Sequence, residues 1–246
     1  MGILHHPTIS RRYFVPRADS LEHPFRVESS EGELRCHRTP GDPMLVHFHG
    51  NCETVSDWVP LLPPTLSNHR IGCLLGEYRG YGGSSGKPEL TPLLDDAVAI
   101  VDAAGVPPER IVLYGRSIGS LYALHAAAHR RVAGLIIESG IANVGDGLGV
   151  RPDEVDSTQA EIDAAVAEHF DHRAKIRDFG GPVLIFHTAA DHIVPATDAY
   201  QLAEWAGEMA TVRVFEHGNH NTIFAMNGAA VVEDTIAFVR SCTKSA

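Results

Sequence analysis

The stretch "VLYGRSIGSLYALHAAAH", residues 112–129, decides the fold because an apolar run, a serine flanked by glycines and an Ala-rich run follow one another directly. The apolar residues before Gly115 favour a β-strand, and the Ala- and Leu-rich residues after Ser117 favour a helix. Gly115 and Gly119 lie two positions before and two positions after the serine. The sequence therefore predicts that Ser117 lies in a tight turn between a strand and a helix.

A serine in this setting is typical of a nucleophile elbow. The nucleophile of such an elbow has strained backbone angles, and small residues two positions away on either side avoid clashes. Gly115 and Gly119 meet that requirement. The alternative is a phosphate-binding turn, but the longer glycine pattern and the lysine of a P-loop do not occur here. We therefore predict that Ser117 is a nucleophile.

A serine hydroxyl needs a base, and in this kind of strand-turn-helix protein the base is a histidine in the loop after the last strand. The stretch "FEHGNHNTIF" contains His217 and His220, and His220 is preferred because it lies further out in the loop. Asp191, in "ADHIVP", follows an earlier strand and is the predicted acid that orients the imidazole. The alternative acid, Asp198, is predicted to be a surface charge in the following helix.

Two backbone amides are predicted to bind the oxyanion that forms on attack. One is the amide of Ile118, directly after the nucleophile, and the other lies in "FHGNCE", after an earlier strand. Asn51 is preferred for this second amide and Cys52 is the alternative, while His49 is expected to brace the loop.

Three further residues are candidates for substrate contact, namely Cys52, Tyr81 and Arg116. For Tyr81 the alternative is ordinary packing. For Arg116, and for Arg79, the alternative is that the side chain braces its loop by pairing with Glu77 or Glu138.

Apolar runs rich in Val, Ile and Leu alternate with stretches of helical period, which predicts a mainly parallel sheet with helices on both faces. The predicted strands cover residues 44–50, 71–80, 110–115, 132–140, 182–188 and 210–218. Residues 11–17 and 23–38 are interpreted as an opening antiparallel hairpin with the turn "SEG" at 30–32, and residues 91–105 as a helix. The fold class is therefore α/β, with about eight strands.

The chain of 246 residues is long enough for one domain with a large core, so a single domain over residues 1–246 is expected. Residues 140–180 interrupt the alternation, since a Gly- and Asp-rich stretch is followed by a polar, helix-prone one. We interpret this segment as a small insertion that forms a lid, with an ordinary long loop carrying one surface helix as the alternative. Residues 153–171 contain Asp and Glu but no Lys or Arg, and this acidic segment is expected to repel strongly anionic substrates if it borders the entrance.

Composition argues against several classes of function. The net charge of -11 argues against a nucleic-acid partner, which needs clustered Lys and Arg. His47 with His49, and His125 with His129, have the spacing to share one face but lack a Cys or acidic partner, so no metal is expected. The four cysteines show no CxxC spacing, and no apolar run is long enough for a signal peptide or a membrane span. A cytoplasmic protein without stable membrane insertion is expected, and nothing in the sequence fixes its oligomeric state.

Four motifs together resemble the serine hydrolases of the α/β-hydrolase fold, over about residues 25–239. They are "HFHGN", "EYRGYGGSSG", "GRSIGS", and "ADHIVP" taken with "HGNHN". The pairing of "YRGYG" with "GRSIG" is similar to the α/β-hydrolase-domain branch that includes protein depalmitoylases and many uncharacterised bacterial hydrolases. The cysteine-rich N-terminal segment that depalmitoylases commonly carry does not occur here. The resemblance implies the fold and a Ser–His–Asp triad.

The expected reaction is hydrolysis of a carboxylic ester or thioester of small-molecule size through an acyl-enzyme, with no metal or organic cofactor. A peptidase or amidase on the same triad is one alternative. A non-catalytic binding protein on a hydrolase scaffold is another.

Overall fold

The centre of the molecule is an eight-stranded sheet with the strand order β1-β2-β4-β3-β5-β6-β7-β8. The structure is a computed structural model and describes residues 2–244. The strands are β1 (Phe25–Ser29), β2 (Gly32–Thr39), β3 (Met44–Phe48), β4 (Gly72–Gly76), β5 (Ile111–Arg116), β6 (Gly134–Glu138), β7 (Val183–Thr188) and β8 (Ala210–Phe215).

The first two strands are antiparallel to their neighbours, and the strands from β3 to β8 pair in parallel. The prediction of a mainly parallel sheet of about eight strands is therefore confirmed, and each of the six predicted strand runs overlaps one strand, with β5 ending one residue beyond its predicted run. The carboxyl ends of the parallel strands lie along one edge of the sheet, where α/β proteins place their sites.

Ten α-helices and four short 3₁₀ turns connect the strands within the described residues. The helices are α1 (Pro7–Tyr13), α2 (Val55–Trp58), α3 (Leu62–Ser67), α4 (Pro92–Asp102), α5 (Gly119–His129), α6 (Val144–Gly147), α7 (Gln159–Phe170), α8 (His172–Phe179), α9 (Ala196–Ala206) and α10 (Ile223–Cys242). The 3₁₀ turns are Ile3–His5, Pro108–Arg110, Pro152–Glu154 and Gly207–Met209.

Helices cover both faces of the sheet. Successive residues of a strand point to opposite faces, so strands with apolar residues at successive positions give two apolar faces that both need cover. Val46 in β3 belongs to an apolar cluster that includes residues of α4 and α5. Its neighbour Leu45 belongs to a second cluster, which includes residues of α2, α3 and α10. Both layers are apolar, so every residue of the strands from β3 to β7 is buried and most of them are apolar.

The prediction of a strand over residues 11–17 is wrong. Helix α1 occupies Pro7–Tyr13; His6 accepts a hydrogen bond from the Thr8 amide through Nδ1 (3.2 Å), and Pro7 provides a preformed first helical residue. Ile9 is fully buried on this helix, and Phe14, which follows it, is also buried. The opening hairpin is formed by β1 and β2 alone, with the predicted turn at residues 30–32, where Gly32 has φ +122°.

The segment 140–180 contains α6, the 3₁₀ turn Pro152–Glu154, α7 and α8, and no strand, as expected from its composition. Helix α8 packs against α5 and α9, and α7 contacts the 3₁₀ turn Ile3–His5. Ile162, Phe170 and Ile176 are buried and anchor α7 and α8 to the core. The segment therefore packs on helices α5 and α9 and on the N-terminal residues.

Candidate active site

Ser117 lies at the carboxyl end of β5, in the turn that begins α5. Its φ is +51°, a left-handed value that is unfavourable for a side-chain-bearing residue, and its amide donates a hydrogen bond to the Glu138 carbonyl oxygen (2.8 Å). A Cβ atom at Gly115 would lie 2.6 Å from the Gly119 carbonyl oxygen, and one at Gly119 would collide with the carbonyl oxygen of Phe48. Both flanking positions therefore require glycine.

His220 and Asp191 complete a hydrogen-bonded chain with this serine. His220 Nε2 lies 2.9 Å from Ser117 Oγ, and His220 Nδ1 lies 2.8 Å from Asp191 Oδ2. The three side chains come from three separate loops at the carboxyl edge of the sheet, after β5, β7 and β8. The structure thus brings together the three residues that the sequence suggested.

The Asp191 carboxylate is held in its ionised form by its hydrogen bonds. Its second oxygen, Oδ1, accepts from the amides of Ile193 and Val194, both at 2.9 Å. Burial alone raises the pKa of Asp191, but the hydrogen bonds from His220 and from these amides outweigh it and the pKa lies below its usual value. A charged Asp191 can both fix the tautomer of His220 and stabilise its cationic form.

The side chain of Asn51 ties the loop after β3 to the N-terminal segment. Its Nδ2 donates to the Tyr13 carbonyl (2.6 Å), and its Oδ1 accepts from the Val15 amide (2.9 Å) and the Tyr81 hydroxyl (2.8 Å). Oδ1 also accepts from the Cys52 amide (3.1 Å), so that amide, the alternative oxyanion donor, already has a partner.

The preferred oxyanion donors, the amides of Asn51 and Ile118, make no hydrogen bond to any residue in the range 2–244. Both residues line the same cleft as Ser117 and His220. Their amides are therefore the two candidates with free hydrogen-bonding capacity at this site.

The cleft over Ser117 has a volume of about 860 Å³. Its walls come from the N-terminal segment, the loop after β3, the nucleophile turn, the segment 140–180 and the loops after β7 and β8. The lining residues are Arg12, Tyr13, Asn51, Cys52, Glu53, Arg116, Ser117, Ile118, Ile141, Asn143, Asp146, Gly147, Ile193, Val194, Pro195, Asp198, His220 and Asn221. The wall is mixed, with Ile141, Ile193 and Val194 among polar and charged groups.

Arg116 is buried beside Ser117 in a cluster of charged groups. Its Nε lies 3.1 Å from Glu138 Oε1 and 3.3 Å from Glu53 Oε1, and its Nη2 donates to the His220 carbonyl oxygen (2.9 Å). Tyr114 donates its hydroxyl to the other Glu138 oxygen. Burial raises the pKa of Glu138, and the positive charge of Arg116 opposes that rise. The pairing of Arg116 with Glu138 was one of the alternatives drawn from the sequence, whereas the part of Glu53 was missed.

The sequence suggested Glu77 as a partner of Arg79, but the structure does not pair them. Its guanidinium binds Asp96 in helix α4 through two hydrogen bonds of 2.6 and 2.7 Å. Glu77 instead accepts from His49 Nε2 (2.7 Å) and from the Val55 amide (3.0 Å). Both arginines brace loops, but Arg79 does so away from the cleft.

Two other expectations need correction. Tyr81 is not among the residues that line the cleft: it is almost fully buried and its hydroxyl donates to Asn51 Oδ1, which agrees with the packing alternative. Asp198 does lie in helix α9 but is not a free surface charge; its Oδ2 accepts from the Ala142 amide (2.9 Å), and burial raises its pKa. Cys52, by contrast, is exposed and lines the cleft, at a φ of +62°.

His217, His47 and His49 lie outside the hydrogen-bonded chain of Ser117, His220 and Asp191. His217 is exposed beyond β8, and its carbonyl accepts a hydrogen bond from Asn227. The ring of His47 packs against Trp58 and Tyr114, whereas His49 is held by Glu77. Residues 2–244 contain no cluster of three or more metal-ligating side chains, and none of the helices in that range is long and apolar enough to cross a membrane.

A family model described as "alpha/beta hydrolase fold" matches residues 43–171. The chain belongs to the α/β-hydrolase family. The protein YfhR of Salmonella typhimurium, itself uncharacterised, is 30% identical to it over 216 residues, which are 80% of this chain and 71% of that protein.

Solved structures give the same fold. Est1E from Butyrivibrio proteoclasticus, solved with ferulic acid bound, superposes with a TM-score of 0.72 at 19% identity and covers 87% of this chain and 99% of its own. An esterase from Exiguobacterium antarcticum superposes with a TM-score of 0.66 at 16% identity, covering 89% of this chain and 100% of its own. Because one fold hosts many reactions, these similarities concern architecture, and the reaction has to be argued from the site.

Proposed function

We propose that this α/β-hydrolase is a serine hydrolase that cleaves a carboxylic ester or thioester through an acyl-enzyme. The observation that carries the proposal is the hydrogen-bonded chain from Ser117 through His220 to Asp191, with the serine on a strained turn between two required glycines. Nucleophile, base and orienting acid lie at the distances that covalent catalysis needs.

In the proposed reaction, Ser117 Oγ attacks the acyl carbonyl carbon and its proton passes to His220 Nε2. Asp191 stabilises the resulting imidazolium, and the amides of Asn51 and Ile118 donate to the oxyanion. The proton on His220 then moves to the departing alkoxide or thiolate. Water, deprotonated by His220, attacks the acyl-enzyme; the acid leaves and Ser117 is restored. Every proton is accounted for by groups of this chain and by water.

The mixed wall of the cleft supports an acyl substrate of small-molecule size. Ile141, Ile193 and Val194 offer apolar contact, and a volume of about 860 Å³ lies within the range of small-molecule sites. Asp146 and Asp198 lie in the same wall and disfavour strongly anionic substrates. We therefore propose neutral esters or thioesters as the substrate class.

The test is hydrolysis of p-nitrophenyl esters, from acetate to palmitate, by the purified protein and by Ser117→Ala. The proposal expects turnover at some chain length and a fall of at least about a thousandfold in the variant. Activity that survives in Ser117→Ala would contradict the assignment of the nucleophile. No turnover of any ester by a folded protein would favour the peptidase or the non-catalytic alternative.

A further inference from the structure

The guanidinium of Arg116 lies where three parts of the site meet: the nucleophile turn, the loop that carries His220 and the loop after β3. We propose that Arg116 is a positioning residue, which fixes the base loop and the oxyanion loop relative to Ser117. The inference rests on the function proposed above and assigns to Arg116 a part in that reaction other than substrate contact.

The first contact holds the base. Arg116 Nη2 donates to the backbone carbonyl of His220 itself, at 2.9 Å. The imidazole is therefore restrained at its two ends: Asp191 holds Nδ1 of the ring, and Arg116 holds the main chain from which the ring extends. The loop also has hydrogen bonds of its own, from the Asn219 amide to Thr222 Oγ1 (2.9 Å) and from the Asn221 amide to Asn219 Oδ1 (3.0 Å). These bonds lie within the loop, whereas the Arg116 contact ties its main chain to the end of β5.

The second contact reaches the oxyanion loop through Glu53. This carboxylate lies 3.3 Å from Arg116 Nε and accepts from the Gly50 amide (2.8 Å) and from Trp58 Nε1 (3.0 Å). The Gly50 carbonyl accepts from His49 Nδ1 (2.7 Å) and belongs to the peptide unit whose N–H is that of Asn51. His49 thus restrains the plane of the peptide that presents the Asn51 amide, and Glu53 restrains the preceding peptide, which joins His49 to Gly50.

The third contact keeps the arginine in place. Glu138 is fully buried and lies 3.1 Å from Arg116 Nε, while Tyr114 donates to its other oxygen. A buried guanidinium needs such a partner to offset the loss of hydration. Only the planar, branched head of arginine can face His220, Glu53 and Glu138 at once, because the ammonium of lysine is a single compact charge on a flexible stem.

If Arg116 positions the catalytic groups, its replacement should slow the reaction of Ser117 in chains that are still folded. Arg116→Lys keeps the positive charge that balances Glu138 but cannot keep all three contacts. We expect the second-order rate constant for Ser117 labelling by a neutral alkyl fluorophosphonate to fall by about ten- to a hundredfold, because misplacement of catalytic groups by about 1 Å has effects of this size. The end point, the fraction of chains that become labelled, should remain that of the wild type. A role confined to folding lowers the end point and leaves the rate of the surviving sites unchanged.

A second variant is needed for the case in which Arg116→Lys folds poorly. Arg116→Met combined with Glu138→Gln removes both buried charges together, an exchange that is often neutral for stability. It should be labelled as slowly as Arg116→Lys or more slowly. Arg130→Lys is the matched control, since Arg130 pairs with Asp102 near the far end of α5 and lies away from the cleft; its rate should equal that of the wild type.

The outcomes separate this inference from the proposed function. Wild-type rates in both variants, or lower rates explained wholly by fewer labelled chains, overturn the role of Arg116 and leave the serine hydrolase intact. A wild-type protein that is not labelled at Ser117 overturns the proposed function, and this inference with it. For any ester that the wild type hydrolyses, the role also predicts a lower kcat with KM within about twofold, because no substrate contact is removed.

Discussion

Arg116 and Arg12 both line the cleft and both pair with carboxylates, yet their surroundings are opposite. The side chain of Arg116 is 7% exposed and faces the fully buried Glu138, whereas that of Arg12 is 43% exposed and faces Glu154. The Arg12 pair joins helix α1 to the 3₁₀ turn Pro152–Glu154, with two hydrogen bonds of 2.6 and 2.7 Å. The distances between the charged atoms therefore do not show which of the two pairs contributes more to stability.

Burial decides what each pair does. Water and mobile ions screen an exposed pair, and ordering two long side chains costs entropy, so such pairs contribute little to stability. A buried charge has no such screening, and displacing its partner leaves an uncompensated ion. We therefore expect the inner groups of the cleft to hold geometry, and the outer clasp between the N-terminal segment and the segment 140–180 to contribute weakly.

The largest expected effect comes from the buried groups of the cleft, at Asp191, the proposed triad acid. Asp191→Asn keeps the size of the side chain but can donate where the carboxylate only accepts, so it favours the wrong tautomer of His220. We expect kcat to fall by about a thousandfold or more, with little change in KM. Steady-state kinetics on the best p-nitrophenyl ester measure the effect.

The matched control for this variant is Asp178→Asn, an exposed carboxylate near the end of α8. Its kcat should equal that of the wild type. A kcat for Asp191→Asn within tenfold of the wild type would contradict the role of Asp191 as the acid and would favour the alternative acid, Asp198.

A smaller effect is expected at the buried edge of the segment 140–180. His172 is buried at the start of α8, and its Nδ1 lies 3.0 Å from the Ile141 carbonyl oxygen. Burial, and next the charge of Lys175, lower the pKa of His172 from 6.5 to about 4. The His172 imidazole therefore binds a proton less readily in the folded state than in the unfolded chain. Neutral His172 thus contributes fully to the free energy of unfolding above pH 6.5, and this contribution is lost as the pH falls from 6.5 towards 4.

His172→Asn removes this titration while keeping a side-chain N–H donor. Because unfolding takes up one proton at this histidine, the wild type loses about 3 kcal/mol of unfolding free energy between pH 6.5 and pH 4. The variant should therefore lose less stability than the wild type between pH 7 and pH 5, measured by urea unfolding at each pH. His23→Asn, at an exposed histidine, should retain the full wild-type slope. Equal slopes in His172→Asn and the wild type would contradict the account.

The smallest effect is expected at the outer clasp. Arg12→Ala removes the pair with Glu154, and the melting temperature should fall by no more than about 3 °C, a difference that shrinks further in high salt. The kcat for p-nitrophenyl acetate should stay within about twofold of the wild type, since no group of the triad touches Arg12. A large loss of activity on Arg12→Ala would mean that the clasp, and not the inner cluster, shapes the cleft.

The parts of the fold that the sequence predicted well are those dictated by local chemistry. The central strands are buried on both faces, so most of their residues are apolar, and the elbow needs glycine at fixed positions around Ser117. Ser117, Asp191 and His220, the residues of the proposed triad, were predicted to lie together because each follows a strand whose carboxyl end lies at the same edge of the sheet. Their roles stay predictions until activity is measured.

What the sequence did not predict depends on contacts between distant segments. Residues 11–17 were assigned to a strand because the local helix start at His6 and Pro7 was overlooked, and because no local signal shows that Asn51 holds the main chain at Tyr13 and Val15. Asp198 was placed in the correct helix, but its partner, the Ala142 amide, belongs to another loop. Glu53 was missed because a lone acidic residue in a turn carries no signal until Arg116 is seen beside it.

The central claim is that the chain from Asp191 through His220 activates Ser117. The most direct measurement is the mass-spectrometric identification of the residue that an alkyl fluorophosphonate modifies, on wild-type protein and on His220→Ala. The account predicts one adduct per chain, located on Ser117, and labelling slowed by at least about a thousandfold in His220→Ala. An unmodified wild type, an adduct on another residue, or equal rates in the two proteins would contradict it.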